Sequence, residues 1–341
     1  MIATLATPGR HRRLAHRRIV MLALAGMLAG LFALTLMLGQ SLTPPGDVLR
    51  VLAGQDVPGA SFTVGQLRLP RAVIATLAGM CLGLGGAAFQ VMLRNPLASP
   101  DIIGVSAGAS AAAVFAIVFL SVSGASLSII AIAAGLGVAA LIYLLSFRDG
   151  VSGARLILVG IGISAMINSF IAYALVRAPG WSLQEALRWL GGSVNAVRIE
   201  QAGPLLAALV LFGGLVLSRS RDLETLRMGD DMAAALGVRV GAVRLSVMMG
   251  AVGMIAVATS VTGPIAFVAF LAGPIALRII GPHGSVLIPA ALTGAILVLG
   301  GDYVGQFLLP ARYPVGVVTG ALGAPFLIWL IIRANRTGGS L

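Results

Sequence analysis

The sequence predicts an all-α polytopic membrane protein, and three observations carry that reading. Hydrophobic residues make up 58% of the 341-residue chain and charged residues 10%, with a mean hydropathy of +1.02, which belongs to a lipid rather than an aqueous solvent regime. Apolar runs of about 18 residues or more recur from end to end, each long enough to cross a hydrocarbon core of roughly 30 Å. Glycine, 45 residues in all, is common inside those runs, as in AGMCLGLGGAAF at 78–89. In lipid, such residues let helix backbones approach closely where no hydrophobic drive separates helix from solvent.

The runs predict ten helices, at 19–39, 70–92, 102–122, 126–147, 155–177, 204–219, 245–261, 264–280, 286–309 and 316–333. With the N-terminus inside, the inner segments hold sixteen Arg and the outer segments seven. That bias places both termini in the cytoplasm. Residues 1–18 form a basic cytoplasmic tail, 19–336 a single ten-helix domain and 337–341 a short C-terminal tail.

The stretch LRNPLASPDIIGVSAGAS between the second and third runs reads as a stop, a polar turn and a restart. Pro96 forces Asn95 out of helical geometry, Ser99 caps a helix with Pro100 at its first position, and Asp101 faces the positive end of the helix dipole. Residues 178–203, with Leu183, Leu187 and Leu190 on one face beside Trp181 and Trp189, read as an interfacial or re-entrant helix.

Residues 219–243 are the most polar segment of the chain. Leu223 and Leu226 lie three apart, Gly229 breaks the helix, Asp230 caps a second one, Met232, Ala235 and Leu236 give it an apolar face, and Gly237 ends it. Two short amphipathic helices make a cytoplasmic shelf. Asp222, Glu224, Asp230 and Asp231 would be repelled by anionic lipid, so the expected partner is a protein.

Several chemistries are excluded or disfavoured. All 23 basic residues are Arg and lie mainly at run ends, which explains the +12 charge without nucleic acid. A phosphate-binding loop of the Walker type needs a lysine, and the chain has none. His11, His16 and His283 lack metal-ligand spacing and Cys81 stands alone within an apolar run, so neither a metal site nor a cofactor is expected. Ionisable groups at membrane depth are few. Asp302, toward the outer end of helix nine, is read as hydrogen-bonded rather than as a proton relay, and Gln90 and Asn168 as polar bridges between helices or pathway candidates. The picture is a passage whose energy arrives from elsewhere.

LRLPRAVIATLAGMCLGLGGAAFQVMLRNPLASPDIIGVSAGAS, LGVRVGAVR and PVGVVTGALGAPFLIWLI resemble the permease subunits of ABC importers that carry iron–siderophore complexes, haem and vitamin B12. GPIAFVAFLAGPIALR resembles the second permease of two-permease, catecholate-type siderophore systems. The resemblance implies a type II ABC importer architecture in the inner membrane, translocating ferric siderophore by alternating access, with haem or cobalamin as the alternative cargo and an ion-coupled secondary carrier as a different class. It implies three kinds of partner: a second permease, expected to be a different chain, two cytoplasmic ATPase subunits that do the hydrolysis, and an extracytoplasmic substrate-binding protein.

Residue by residue, it implies that Arg68 and Arg71 of RLPR receive acidic groups of the binding protein, for which Arg is suited by bidentate pairing. It places Asp222, Leu223, Leu226, Gly229, Asp230, Ala233, Leu236 and Gly237 in the ATPase-coupling segment, Gly153 and Ala154 at the cytoplasmic gate, and Asn95 in scaffold near the inner mouth. The chain departs from the family pattern at Gly273 and Pro274, where many members have Pro-His, at Arg312, where many have Glu, and at Gln306, where an Arg is common.

Overall fold

The computed structural model describes residues 7–96, 98–147, 153–281 and 284–336. The chain enters through α1 Thr7–Met37 and the short α2 Pro45–Leu52, then runs through α3 Ser61–Leu93, α4 Val105–Leu120, α5 Ala125–Ser146 and α6 Gly153–Arg177. A surface helix, α7 Gly180–Leu190, precedes α8 Ile199–Ser218. The shelf consists of α9 Ser220–Leu226 and α10 Asp230–Ala235. Then follow α11 Val240–Thr262, α12 Val268–Ile280, α13 Leu287–Leu308 and α14 Val315–Arg336.

By length and composition, α1 from Leu14, α3, α5, α6, α8, α11 and α13 are apolar enough to cross a membrane, and α4, α12 and the Val315–Leu330 part of α14 are shorter apolar helices. Each of the ten predicted runs is occupied by one of them. Helix α3 is the axis of the molecule: 78% of its apolar window is buried, and α8, α11, α12 and α13 pack around it. By contrast, only 17% of the α6 window is buried.

Glycine decides how close those neighbours come. A methyl group on Gly79 would lie 2.5 Å from the Gly294 carbonyl oxygen and 2.6 Å from Ala295 Cα on α13, and one on Gly86 would collide with the backbone of Ala269 on α12. Hydrogen is the only side chain these contacts admit, as the expected packing role of 78–89 requires.

The predicted break after α3 is present, with a shifted restart. Arg94 ends α3 in the left-handed region at φ 53°. Ser99 Oγ accepts the Asp101 N–H, but the turn it caps is a single 3-10 segment, Pro100–Ile103, closed by Gly104 at φ 69°. Helix α4 proper therefore starts at Val105 rather than near residue 100. At the opposite end of the bundle, the Ser193 N–H donates to Thr262 O at 2.6 Å and the Gly316 N–H to Gly192 O at 3.0 Å, tying the end of α7 to α11 and α14. Helix α7 buries Ser182 and Ala186, while Leu187 and Trp181 are exposed. The small residues, not the expected leucine face, make its tightest contact.

Candidate coupling and docking sites

The shelf forms where the sequence placed it, but its two faces are divided differently. Leu223, Leu226 and Ala233 are fully buried, whereas Met228, Met232 and Leu236 are 65%, 52% and 61% exposed. Leu223 and Leu226 thus anchor the shelf to the bundle, and the apolar ridge left for a partner is Met228, Met232 and Leu236. Gly229 at φ 110° and Gly237 at φ 87° make the turns before and after α10, conformations that glycine adopts without strain.

Asp230 corrects the expected helix cap. Its side chain does not cap α10; instead Oδ1 lies 3.3 Å from Arg94 Nη2 and Oδ2 lies 2.9 Å from Arg244 Nη2. One carboxylate joins the end of α3, the start of α10 and the N-terminal part of α11. Nothing in the local spacing announces Arg94 and Arg244 as its partners. Asp222 pairs with Arg219 at 3.6 Å and Glu224 with Arg227 at 3.2 Å within α9 and its flanks, exposed contacts of the kind that contribute about 0–1 kcal/mol.

Both arginines of RLPR, expected to meet the binding protein, make contacts within the chain. Arg68 is 7% exposed: its Nη1 donates to Leu36 O, Met37 O and Thr43 Oγ1 at 2.9, 2.9 and 3.1 Å, and its Nη2 to Ser41 O at 2.7 Å. It satisfies carbonyls that the end of α1 leaves without intrahelical donors. Arg71 donates Nε–H to Asp302 Oδ2 at 2.5 Å and Nη2–H to Asp302 Oδ1 at 2.7 Å, with Asp302 1% exposed. Asp302 is thereby the hydrogen-bonded acid that the sequence suggested, and its partner is the supposed docking residue.

Gln90 is the polar bridge expected, and the geometry explains why it is needed. Pro274 lies inside α12 and has no N–H, so the carbonyl four residues earlier, that of Phe270, loses its helical donor. Gln90 Nε2 donates to Phe270 O at 2.9 Å. A side chain at position 273 would strike Gln90 Oε1, so Gly273 is the space into which this amide fits. Asn95 lies one turn below: its N–H donates to Gln90 O and its own carbonyl accepts the Ala98 N–H. Gln90, Asn95, Arg94, Arg227, Gly273 and Pro274 line part of a cavity of about 250 Å³.

Asn168 lies exposed on α6, and among the described residues it bridges no helices. Gly153 and Ala154 begin α6, and a methyl on Gly153 would touch Leu93 Cδ2 at 3.2 Å, which brings the proposed gate against the end of α3. The rest of that turn, 148–152, is outside the described residues.

A family model, the FecCD transport family, matches residues 27–333. The chain belongs to that family. It is 39% identical over 297 residues to the ferric enterobactin transport system permease protein FepG of Escherichia coli strain K12, covering 85% of this chain and 88% of FepG. It is 38% identical over 321 residues to the achromobactin transport system permease protein CbrC of Dickeya dadantii strain 3937, covering 93% and 92%. Among solved structures, an inward-facing conformation of the metal-chelate type of ABC transporter superposes with a TM-score of 0.83 at 28% identity, covering 93% of this chain and 99% of that one.

As a FecCD member the chain is a multi-pass transport permease of the inner membrane, and its departures from the family pattern acquire physical reasons. Gly273 and Pro274 are matched by Gln90, which fills the space of the one and replaces the donor missing from the other. Gln306, one of those departures, is 9% exposed and donates Nε2–H to Tyr313 O at 3.3 Å. It holds the 309–314 turn rather than offering a charge to solvent.

Proposed function

We propose that this permease is one half of the membrane channel of an ATP-driven importer for ferric siderophores, without catalytic activity of its own. The observation that carries the reading is the shelf: an exposed Met228, Met232 and Leu236 ridge on a helix pair anchored by buried Leu223 and Leu226. An apolar ridge framed by charged residues fits the groove of a protein partner better than an anionic lipid surface. One ATPase subunit would dock there and its counterpart on the other permease, and hydrolysis would alternate access through the passage beside Gly153 and Ala154. The other membrane half, expected to be a second and different permease, would cover apolar faces such as that of the sparsely buried α6, where Asn168 would then face the interface or the passage.

An extracytoplasmic binding protein would deliver the chelate. With Arg68 and Arg71 engaged internally, its acidic groups would meet the exposed Arg50, Arg188, Arg198 or Arg312. The siderophore class is supported by the likeness to a permease named for ferric enterobactin. Asp302, the acid that the sequence places at membrane depth and reads as hydrogen-bonded, is paired with Arg71, which disfavours an ion-coupled carrier. The test is reconstitution of the permease pair with its ATPase and binding protein in vesicles, followed by uptake of radioactive iron as siderophore. Uptake should require ATP inside and survive collapse of proton and sodium gradients; accumulation by this chain alone, driven by a gradient, would overturn the proposal.

A further inference from the structure

We infer that Asp230 is a positioning residue for energy coupling, the joint that makes α10 move as one body with the inner end of α3 and the start of α11. The inference rests on the importer reading above and gives a mechanical role to a residue that the resemblance placed only within the coupling segment. Its first support is the double ion pair: Arg244 Nη2 lies against both carboxylate oxygens, at 3.0 Å from Oδ1 and 2.9 Å from Oδ2, and Arg94 Nη2 lies 3.3 Å from Oδ1, so that a displacement of α10 pulls on two long helices at once. The grip matters because α10 has little else: Ala233 is its only buried residue, while α9 carries the buried leucines.

The second support is backbone geometry on both sides of the contact. Arg94 holds the left-handed region at φ 53° and Gly229 holds φ 110°, and the position of a Gly229 methyl would be 3.5 Å from Arg94 Nη1. A non-glycine residue stays in that region only when its surroundings hold it there.

The third support is loose packing around the inner end of α3. The 250 Å³ cavity lies on its α12 side, and a second cavity of about 260 Å³, lined by Leu93, Tyr143, Leu156 and Arg244 among others, lies toward α5, α6 and α11. A helix end with space on two sides can shift without a clash. From Arg94, one turn of α3 leads to Gln90 and so to the Phe270 carbonyl of α12.

The carboxylate and its partners are partly exposed, at 37%, 43% and 23%, so the ion pairs contribute little to stability. Loss of the charge should therefore leave folding intact and alter transmission. The experiment compares wild type, Asp230→Asn and Asp230→Glu in the complete reconstituted importer, measuring chelate imported per ATP hydrolysed. Asp230→Asn should assemble, keep its ATPase rate within about two-fold and lose import per ATP by about five-fold or more, with Asp230→Glu recovering most of the loss. A wild-type ratio in Asp230→Asn, or a Glu variant no better than Asn, overturns the inference. Should Asp230→Asn fail to assemble, Asp230→Asn with Arg244→Gln, which leaves a smaller unpaired charge, decides by the same ratio. Absence of import by the wild-type complex would instead remove the importer reading, and this inference with it.

Discussion

Arg71 on α3 grips Asp302 on α13 at two points, Nε to Oδ2 at 2.5 Å and Nη2 to Oδ1 at 2.7 Å, across 231 positions of sequence. The carboxylate is 1% exposed and the guanidinium 17%, so each is the other's main compensation for leaving water. Removing either side of this pair leaves the other without its partner.

Removing one partner should therefore harm the protein more than removing both. Asp302→Ala is expected to destabilise by about 3 kcal/mol, since it strands a largely buried cation. Arg71→Leu combined with Asp302→Leu should recover most of that. Thermal unfolding of the purified variants in detergent, arranged as a double-mutant cycle, checks the coupling; additive effects would show that the pair is not a unit.

The Gln90 bridge yields a second cycle. Gln90→Leu leaves Phe270 O without a donor and should cost about 1–3 kcal/mol. Pro274→Ala made in that background supplies the missing backbone N–H and should return part of the loss. If Pro274→Ala gives no recovery when combined with Gln90→Leu, the proline is not what makes Gln90 necessary.

The two faces of the shelf separate by phenotype. Leu226→Ala, at a fully buried position, should cost about 2–5 kcal/mol of stability through the cavity it opens. Leu236→Asp, on the exposed ridge, should leave the melting temperature unchanged and weaken binding of the ATPase subunit, measured by co-purification. The reverse pattern would mean that the ridge packs inward.

Asp101 gives a dependence on pH. Burial pushes its carboxyl above the ordinary carboxylate range, while hydrogen bonds from Ser106 and Ser99 pull the other way. A raised folded value means tighter proton binding than in the unfolded chain. Its contribution to stability is therefore fully present below the unfolded value and fades as pH rises through the folded one. Asp101→Asn, which still accepts the Ser106 hydroxyl, should flatten that decline, with melting temperatures at acidic and neutral pH as the measurement. An unchanged pH profile would show that Asp101 does not titrate in this range.

What the sequence determined by itself is everything whose cause is local. Ten apolar runs, the break between Arg94 and Asp101, the interruption at Gly229 and the end at Gly237 follow from hydropathy, proline and glycine within a few neighbouring residues. Gln90 was legible as a bridge because an amide inside an apolar run must find a partner. The partners themselves were decided only by the tertiary structure. Arg68 and Arg71 lie three apart at a helix end and read as a pair facing outward. Folding instead turns one onto the carbonyls of α1 and the other onto Asp302, because an arginine near buried, unsatisfied oxygen gains more there than in solvent. The same holds for Asp230, whose spacing suits a helix cap but whose carboxylate meets two guanidiniums from distant helices. Local pattern records which groups need compensation, and only three-dimensional packing assigns who compensates whom.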